Sequence, residues 1–164
     1  MHSPSEELKS TVGRALGKVP SGLFILTAGP VGKQHAALVS WVQQTSFHPP
    51  AVSVAIGKER PVNATIRAEK KFALSIIPQG DSTLMKKYAR GIPEGADPFE
   101  GVTTQSTSAG QTILSDGLGY LDCRLLDVCN FGGDHELFIG EVTGGEIFRD
   151  GPAFAHQRGN GFHY

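Results

Sequence analysis

The stretch SWVQQTSFHPPAVSVAIG, residues 40–57, joins a polar, aromatic run to an apolar strand. After the two prolines, Val52, Val54 and Ile56 alternate with small residues, which predicts a strand with one buried face. The run before the prolines is too polar for a core strand and too aromatic for a solvated turn. If the preceding strand ends within residues 40–44 and the chain restarts after the prolines, main-chain N–H and C=O groups are left without a ladder partner. We therefore expect this run to line a site.

A planar heteroaromatic ligand with donors and acceptors along one edge would satisfy those main-chain groups, and Trp41 or Gln43 would cover its face or rim. The isoalloxazine ring of a flavin has this character. A barrel corner whose amides cap local turns explains the same stretch equally well. Both interpretations stay open at this point.

A second candidate site follows the apolar strand. Gly57 allows close approach of the backbone, and Lys58 and Arg60 flank the start of a predicted helix, whose free N–H groups attract anions. Arginine offers phosphate a bidentate fork and lysine a point charge. A solvated turn accounts for these charges when they are taken singly. Their position next to the first segment favours a phosphate pocket.

A third candidate is the segment GGDHELFIGEV, residues 132–142. Its first three residues predict a turn that leaves His135 at the mouth of a strand, where the side chain can reach a ligand. A histidine on the surface is the alternative. The six histidines of the chain show no metal-ligand spacing, so we predict no metal site.

Composition limits the possible functions. The chain has 164 residues, which fits one domain, and its formal net charge of −1 excludes the basic stripe that duplex nucleic acid requires. No apolar stretch approaches the ~20 residues of a membrane span, and the first residues lack the apolar core of a secretory signal. We expect a cytoplasmic protein that binds neither nucleic acid nor membrane.

The order of the predicted elements indicates a mainly β fold. Ser3, Pro4 and Glu6 form a capping box for a helix that runs to about Gly17 and closes one end of the core. Further segments read as a hairpin, four more strands, two short helices and a long loop. The hairpin is GLFILTAG-PVGK-HAALVSWV, and the strands are AVSVAIG, FALSII, GYLDCRLLDVCNF and HELFIGEVTGGEIF. The helices are RPVNATIRAEKK and DSTLMKKYAR, the second with a cap at Asp81 or Ser82, and the loop covers residues 91–117. Such strands favour a closed barrel, which removes exposed edges.

Cys123 and Cys129 are the two cysteines of the chain, and their spacing matches no zinc or redox pattern. Both fall in one predicted strand, six residues apart and therefore on one face. We expect two buried free thiols.

These segments resemble a known family, the flavin reductases with an FMN-binding split barrel. The matching segments are HAALVSWVQQTSFHPPAVSVAI, GKERPVNATI, FALSII, GYLDCRLLD and GDHELFIGEV, in the family's order. Within the family, the closest likeness is to the C-terminal flavin reductase module of the flavodiiron (diflavin) proteins of cyanobacteria and other oxygenic phototrophs. The segments that carry it are LVSWVQQTSFHPPAVSVAI, LMKKYARGIPEGADPFEGV, ILSDGLGYLDCRL and HQRGNGFHY.

The resemblance implies a homodimeric Greek-key split barrel that holds FMN, or FAD, near the dimer interface, with residues 1–164 as a single flavin reductase-like domain. The family's flavin-contacting strand end falls on Ser40, Trp41, Val42, Gln43 and Gln44, with Ser46 close by. Its phosphate-contacting loop falls on Gly57, Lys58, Arg60 and Asn63, and its nicotinamide-side histidine, the expected catalytic residue, on His135. The chain departs from the family at Ser40-Trp41, where Asn and Ser are common.

The implied activity is hydride transfer from NADH or NADPH to the flavin, with electrons then passed on, for example to a flavodiiron oxygen-reducing core. A flavin-binding electron carrier without a nicotinamide site is the alternative from another functional class. A split barrel that binds heme or pyridoxal phosphate follows from fold analogy alone.

Overall fold

The computed structural model describes Ser5 and residues 8–157. The N-terminal helix, α1, consists of a π-helical turn, Lys9–Gly13, and an α-helical turn, Arg14–Leu16; α2 is Val62–Glu69 and α3 is Ser82–Ala89. The strands are β1 (Ser21–Gly22), β2 (Phe24–Ala28), β3 (His35–Val39), β4 (Val42–Phe47), β5 (Pro50–Gly57), β6 (Lys71–Ile76), β7 (Thr104–Ser106), β8 (Thr112–Leu114), β9 (Gly119–Cys129), β10 (His135–Ile147) and β11 (Ala155–His156).

Seven of these strands form one antiparallel sheet in the order β3-β2-β6-β9-β10-β5-β4. The mainly β prediction is therefore confirmed, but the expected closed barrel is wrong. In the described part of the chain, β3 and β4 are the two edges and do not pair with each other. Ser40 and Trp41 carry the chain from one edge strand directly to the other, so the end of β3 lies close to the start of β4, but no ladder joins the two strands.

Alternation along the strands builds the core as the sequence predicted. Val52, Val54 and Ile56 of β5 are buried on one face, where they join a cluster that includes Phe72 of β6 and Phe138 of β10. A second cluster packs α3 against the other end of the sheet, through Ile25, Ile77, Leu84, Tyr88 and Leu114. Alternating burial fixes which side chains of each strand face outward, and the candidate site lies on that outer face.

The N-terminal helix does not close the core as expected. The helix ends close to Gly17, where it was predicted to end, but Leu8, Val12 and Leu16 are 43%, 42% and 50% exposed. Its small residues, Gly13 and Gly17, are the buried ones. The apolar side of α1 therefore faces away from the body of the protein, and the predicted capping box lies outside the described residues.

The segment 91–117 is more ordered than its composition suggested. β7 and β8 pair within it, and Ile113 and Leu114 are fully buried. Tyr88 also fixes the segment, because its hydroxyl donates a hydrogen bond to the Pro98 carbonyl over 2.9 Å. The prediction that residues 91–117 form a single long loop was wrong. The sequence did not indicate β7 and β8 because each strand has only three residues, and β8 is buried by contacts with distant segments.

The two cysteines lie on opposite faces of β9 and are both free thiols. Cys123 is buried, and burial raises its thiol pKa to about 12, whereas Cys129 is exposed. The pairing with β10 shifts register around Leu126, and one extra residue in a strand reverses the alternation. The expectation that both thiols are buried on one face was wrong for this reason.

The two short helices and the first hairpin were predicted correctly. The Asp81 carboxylate caps α3 by accepting hydrogen bonds from the N–H groups of Thr83 and Leu84. The hairpin β2–β3 turns through residues 29–34, with Lys33 N–H donating to the Pro30 carbonyl. No helix among the described residues is long and apolar enough to cross a membrane.

Candidate flavin-binding site

The segment 40–50 pairs more fully than the sequence suggested. Residues 42–47 form strand β4, which pairs with β5 through a tight turn and contains a register shift between Gln44 and Ser46. The expectation that this whole run lacks a ladder partner was therefore wrong. The sequence did not reveal that β4 pairs with β5, because β4 is an exposed edge strand and its side chains are mostly polar.

The side of β4 that faces away from β5 still has main-chain groups that a ligand could contact. The N–H of Ala55 donates to the carbonyl of Trp41 over 3.0 Å, so Trp41 and Gln43 are the residues whose main chain points toward β5. By the alternation of an antiparallel ladder, Val42 and Gln44 then direct their N–H and C=O groups to the open edge. This edge carries alternating donors and acceptors, as the ligand hypothesis requires.

The side chains of the candidate site share one face of the sheet. Register places Trp41 opposite Ala55 on β5, while His135 of β10 is opposite Gly57 on the same strand. These positions alternate with the core residues Val54 and Ile56, so they lie on the outer face. The Trp41 and His135 rings meet there, with centroids 4.9 Å apart and planes inclined by 54°.

The loop after β5 is tied to the turn before β10. The N–H of Lys58 donates to the carbonyl of Asp134 over 2.9 Å. The Asn63 side chain donates to the Gly57 carbonyl over 2.8 Å, which holds the start of α2 against the end of β5. Lys58–Asn63 and Asp134-His135, which are far apart in the sequence, therefore form one structural unit.

Arg60 has a defined position beside the segment that follows α3. A Cβ atom on Gly91 would lie 3.5 Å from the Arg60 guanidinium, so the two residues are in contact range, and the φ of +75° at Gly91 suits glycine. Among the residues that the structure describes, no side chain caps the N-terminus of α2 at Pro61. A cationic side chain therefore lies beside an uncapped helix N-terminus, which is a favourable environment for an anion.

His135 is buried, only 8% exposed, and its Nδ1 lies 2.8 Å from the Asp134 carboxylate. The expectation of a side chain at the mouth of a strand is confirmed, and the alternative of a surface histidine is wrong. The hydrogen bond to His135 lowers the pKa of the Asp134 carboxyl, and Lys58 adds a smaller electrostatic effect in the same direction. Asp134 thus fixes the orientation of the imidazole.

This contact predicts a measurable titration. The Asp134 carboxyl is expected to titrate below its ordinary value of 3.8, and to return toward that value in His135→Ala, because the favourable hydrogen bond to the carboxylate is removed. Carbon-13 NMR of the Asp134 carboxyl measures its pKa in the wild-type protein and in the variant. Since the folded-state pKa is lowered, the contact stabilises the folded protein above the ordinary pKa and loses this effect as pH falls through the lowered value. An unchanged titration in the variant would contradict the contact.

The residues predicted to contact the flavin ring differ in where their side chains lie. Trp41 and Gln43 lie on the outer face, while Val42 packs against the core and offers only its main chain. Ser40 is buried, and Ser46 is half-buried opposite Ala51. The Gln44 side chain donates to the Ser46 carbonyl over 3.3 Å, so that its main chain is the part available at the edge.

Sequence reasoning missed three residues of this site. Ser53 lies on the outer face between the strands, Asp134 orients His135, and Gly91 lies against Arg60. The Gly-Asp-His turn carried a signal for Asp134. No local pattern indicated Gly91, because it lies 31 residues beyond Arg60 and reaches it only through the fold of the 91–102 segment.

In the described residues, no group of three or more His, Cys, Asp or Glu side chains is arranged to hold a metal ion. The site therefore offers aromatic faces, main-chain donors and acceptors, and cations.

The comparisons with known proteins connect this geometry to a family. The family model described as "Flavin reductase like domain" matches residues 16–162. Diflavin flavoprotein A 1 of Synechocystis sp. is 36% identical over 97% of this chain, and putative diflavin flavoprotein A 3 of Nostoc sp. is 34% identical over 97%. The chain spans 28% of the length of each of these relatives.

Solved structures agree on the fold. The NADH:FAD oxidoreductase SgcE6 of Streptomyces globisporus superposes with a TM-score of 0.84 at 22% identity, covering 98% of this chain and 95% of its own. The flavin reductase PheA2 superposes with a TM-score of 0.79 at 25% identity, covering 96% of each chain. The sheet described above is thus the split barrel of the flavin reductases, and the chain belongs to the family of flavin reductase like domains.

Proposed function

We propose that residues 1–164 act as one FMN-binding NAD(P)H:flavin oxidoreductase unit. The observation that carries this proposal is the convergence of three segments on the outer face of the sheet. The Trp41–His135 ring pair lies beside the open edge of β4, and the hydrogen bond between Lys58 and Asp134 brings the cationic loop to the same place. Family membership supports the reaction class.

The residues present fit a flavin. The open edge of β4 offers donors and acceptors to the polar rim of the ring, and the half-exposed Trp41 offers it an aromatic face. Lys58 and Arg60 suit the phosphate of FMN, with the uncapped N-terminus of α2 beside them. We propose FMN as the resident flavin because these groups form a single phosphate site.

Asn63 takes a different role from the phosphate contact that the resemblance suggested. One of its amide hydrogens bonds to Gly57, and its Oδ1 is buried without a partner among the described residues. An acceptor oxygen repels phosphate oxygens but accepts a hydrogen bond from a hydroxyl group. We therefore assign Asn63 to holding the loop and to a hydroxyl of the ligand, such as one on the ribityl chain.

A bound flavin supplies a ring nitrogen, N5, that accepts hydride from NADH or NADPH. The chain supplies position and electrostatics, which account for most of the rate in transfers of this kind. His135, held by Asp134, is placed to seat the nicotinamide against the flavin face. Main-chain N–H groups of Val42 and Gln44 would stabilise negative charge that develops on the ring.

The proposal is tested by mixing the FMN-loaded protein anaerobically with NADH and, separately, NADPH. We expect the absorbance of the oxidised flavin to be lost with at least one nucleotide. Bleaching by dithionite but by neither nucleotide would leave the flavin carrier without a nicotinamide site as the function. Failure to bind FMN would remove both functions. Trp41 is the single tryptophan of the chain, so quenching of its fluorescence reports FMN binding independently of turnover.

We propose that the unit is a homodimer that uses the apolar side of α1. Leu8, Val12 and Leu16 are each at least 42% exposed, and Val19 is 64% exposed. Replacing Val12 and Leu16 with glutamate should convert the dimer to a monomer, because burying two charged side chains in an apolar interface is costly. Light scattering after gel filtration measures this. A wild-type protein that is monomeric at micromolar concentration would contradict the proposal.

We further propose that the electrons pass to a flavodiiron-type partner or domain. The support is the similarity to diflavin flavoproteins, of whose length this chain spans about a quarter. Adding such an oxygen-reducing core to the reduced protein should reoxidise its flavin faster than oxygen alone does.

A further inference from the structure

A pocket lies on the outer face of the sheet, away from the proposed flavin site. Its volume is about 320 Å³, and it lies between the turn that joins β7 to β8 and the strands β6, β9 and β10. Gln111 and Asp122 form its polar interior. Thr143, on its wall, follows His135 by eight residues of β10, which corresponds to about 26 Å along an extended strand. The pocket is therefore distinct from the Trp41–His135 site.

The interior of the pocket contains an unpartnered donor. Gln111 is 2% exposed, and in the described part of the chain its amide nitrogen, Nε2, has no hydrogen-bond partner. Its main chain is well fixed, because its N–H donates to the Thr107 hydroxyl and its carbonyl accepts from the Thr107 N–H. A buried N–H without a partner costs free energy, so its retention points to a ligand acceptor.

Asp122 lines the same pocket and is also 2% exposed. Its Oδ1 accepts a hydrogen bond from the Thr107 hydroxyl over 3.0 Å, which leaves Oδ2 for another partner. Burial raises the pKa of this carboxyl, against smaller opposing effects of Thr107 and Lys71. The interior thus contains both an amide donor, on Gln111, and the Asp122 carboxyl group, which already accepts a hydrogen bond from the Thr107 hydroxyl.

The rim of the pocket is basic. Lys70, Lys71 and Arg124 line it, against the single exposed carboxylate of Glu69. Lys71 donates to the Ala109 carbonyl over 3.2 Å, which holds the β7–β8 turn over the opening. Arg124 pairs with Glu141 but remains 60% exposed. An anion can therefore approach the rim while a neutral part of the same molecule enters.

We propose that this pocket binds a small organic anion that carries hydroxyl or carbonyl groups. The anionic group contacts the basic rim, an acceptor oxygen pairs with Gln111 Nε2, and a hydroxyl donates to Asp122. The cavity volume lies at the lower end of the range for small-molecule sites, so the ligand is the size of a sugar phosphate or a hydroxy acid. The proposal does not depend on the assignment of the flavin site.

Three probes test it: ribose 5-phosphate, malate and uncharged ribose, each titrated into the nitrogen-15-labelled protein with or without FMN. We expect at least one anionic probe to shift the side-chain amide resonances of Gln111, and ribose to bind at least about tenfold more weakly. Binding of ribose 5-phosphate would indicate a phosphate ester as the ligand, and binding of malate a carboxylate. Absence of any shift at millimolar probe would overturn the proposal.

Substitutions provide the second arm. Gln111→Leu should abolish the probe-induced shifts of the backbone amides of Asp122 and Thr143, which line the same pocket and remain as reporters when the Gln111 amide is gone. It should also raise the melting temperature of the ligand-free protein, since a buried amide nitrogen with no partner among the described residues is replaced by an apolar group of similar size. Gln105→Leu, on the exposed part of β7, should leave the response unchanged. The Lys58→Ala/Arg60→Ala variant should also keep it. A lower melting temperature for Gln111→Leu, or loss of the response in the Lys58/Arg60 variant, would show that no separate ligand site exists.

Discussion

Replacement of both Lys58 and Arg60 with alanine is expected to weaken FMN binding about 100-fold or more. Two charge-assisted contacts to a phosphate, each worth at least about 1.5 kcal/mol, account for a change of this size. Both side chains are half-buried, and Arg60 lies against Gly91, so neither needs to be ordered from a freely exposed state when phosphate binds. Titration followed by quenching of Trp41 fluorescence measures the affinity.

The same titration with riboflavin isolates the phosphate contribution. Riboflavin lacks the phosphate, so its affinity should change little in the double variant, and the preference for FMN over riboflavin should largely disappear. Lys33→Ala/Lys86→Ala removes two positive charges from exposed positions elsewhere and serves as the matched control. Equal weakening of FMN and riboflavin would show that the two cations support the loop rather than the phosphate, and an unchanged FMN affinity would remove the assignment.

Replacement of His135 with alanine is expected to lower kcat/KM for NADH or NADPH by about 10- to 100-fold, with a much smaller effect on FMN affinity. The imidazole is buried, packed against Trp41 and oriented by Asp134, so its removal leaves a gap where the nicotinamide would be seated. Misplacement of a reactant by about 1 Å costs up to about 100-fold in rate. Stopped-flow reduction of the FMN-loaded variant under anaerobic conditions measures this.

A second substitution separates chemistry from packing. His135→Phe retains an aromatic ring beside Trp41 but cannot bond to Asp134, so it should keep the affinity for FMN and still reduce slowly. If His135→Phe restores the wild-type rate, the histidine acts only as packing for Trp41. If His135→Ala weakens FMN binding as much as it slows reduction, His135 belongs to the flavin site and not to the nicotinamide side.

Local sequence patterns predicted the strands and helices that surround the site. Alternation of Val52, Val54 and Ile56 identified both the strand and its buried face, and Asp81 marked the start of α3. These predictions succeeded because a period of two residues and a cap are local properties of the chain. The family resemblance selected candidate residues, of which Trp41, Gln43 and His135 share one face of the sheet.

Predictions that required long-range information were the ones that failed. The bulge around Leu126 moved Cys129 to the opposite face from Cys123, and the pairing of β4 with β5 satisfied main-chain groups that the sequence left open. The apolar side of α1 was expected in the core and is exposed. For the two strands, the local pattern is compatible with more than one register, and the assembled sheet selects among them. For α1, the apolar pattern marks a face but not the surface that covers it.

By itself, the sequence determined most of the element types and the buried face of the central strands, because periodicity and capping are properties of neighbouring residues. Tertiary structure alone decided that β3 and β4 do not pair with each other, that Asp134 contacts both Lys58 and His135, and that the Gln111 amide nitrogen is buried without a partner among the described residues. These features depend on contacts between segments far apart in the chain, whose geometry is fixed only when the strands pair and the sheet curls around its core.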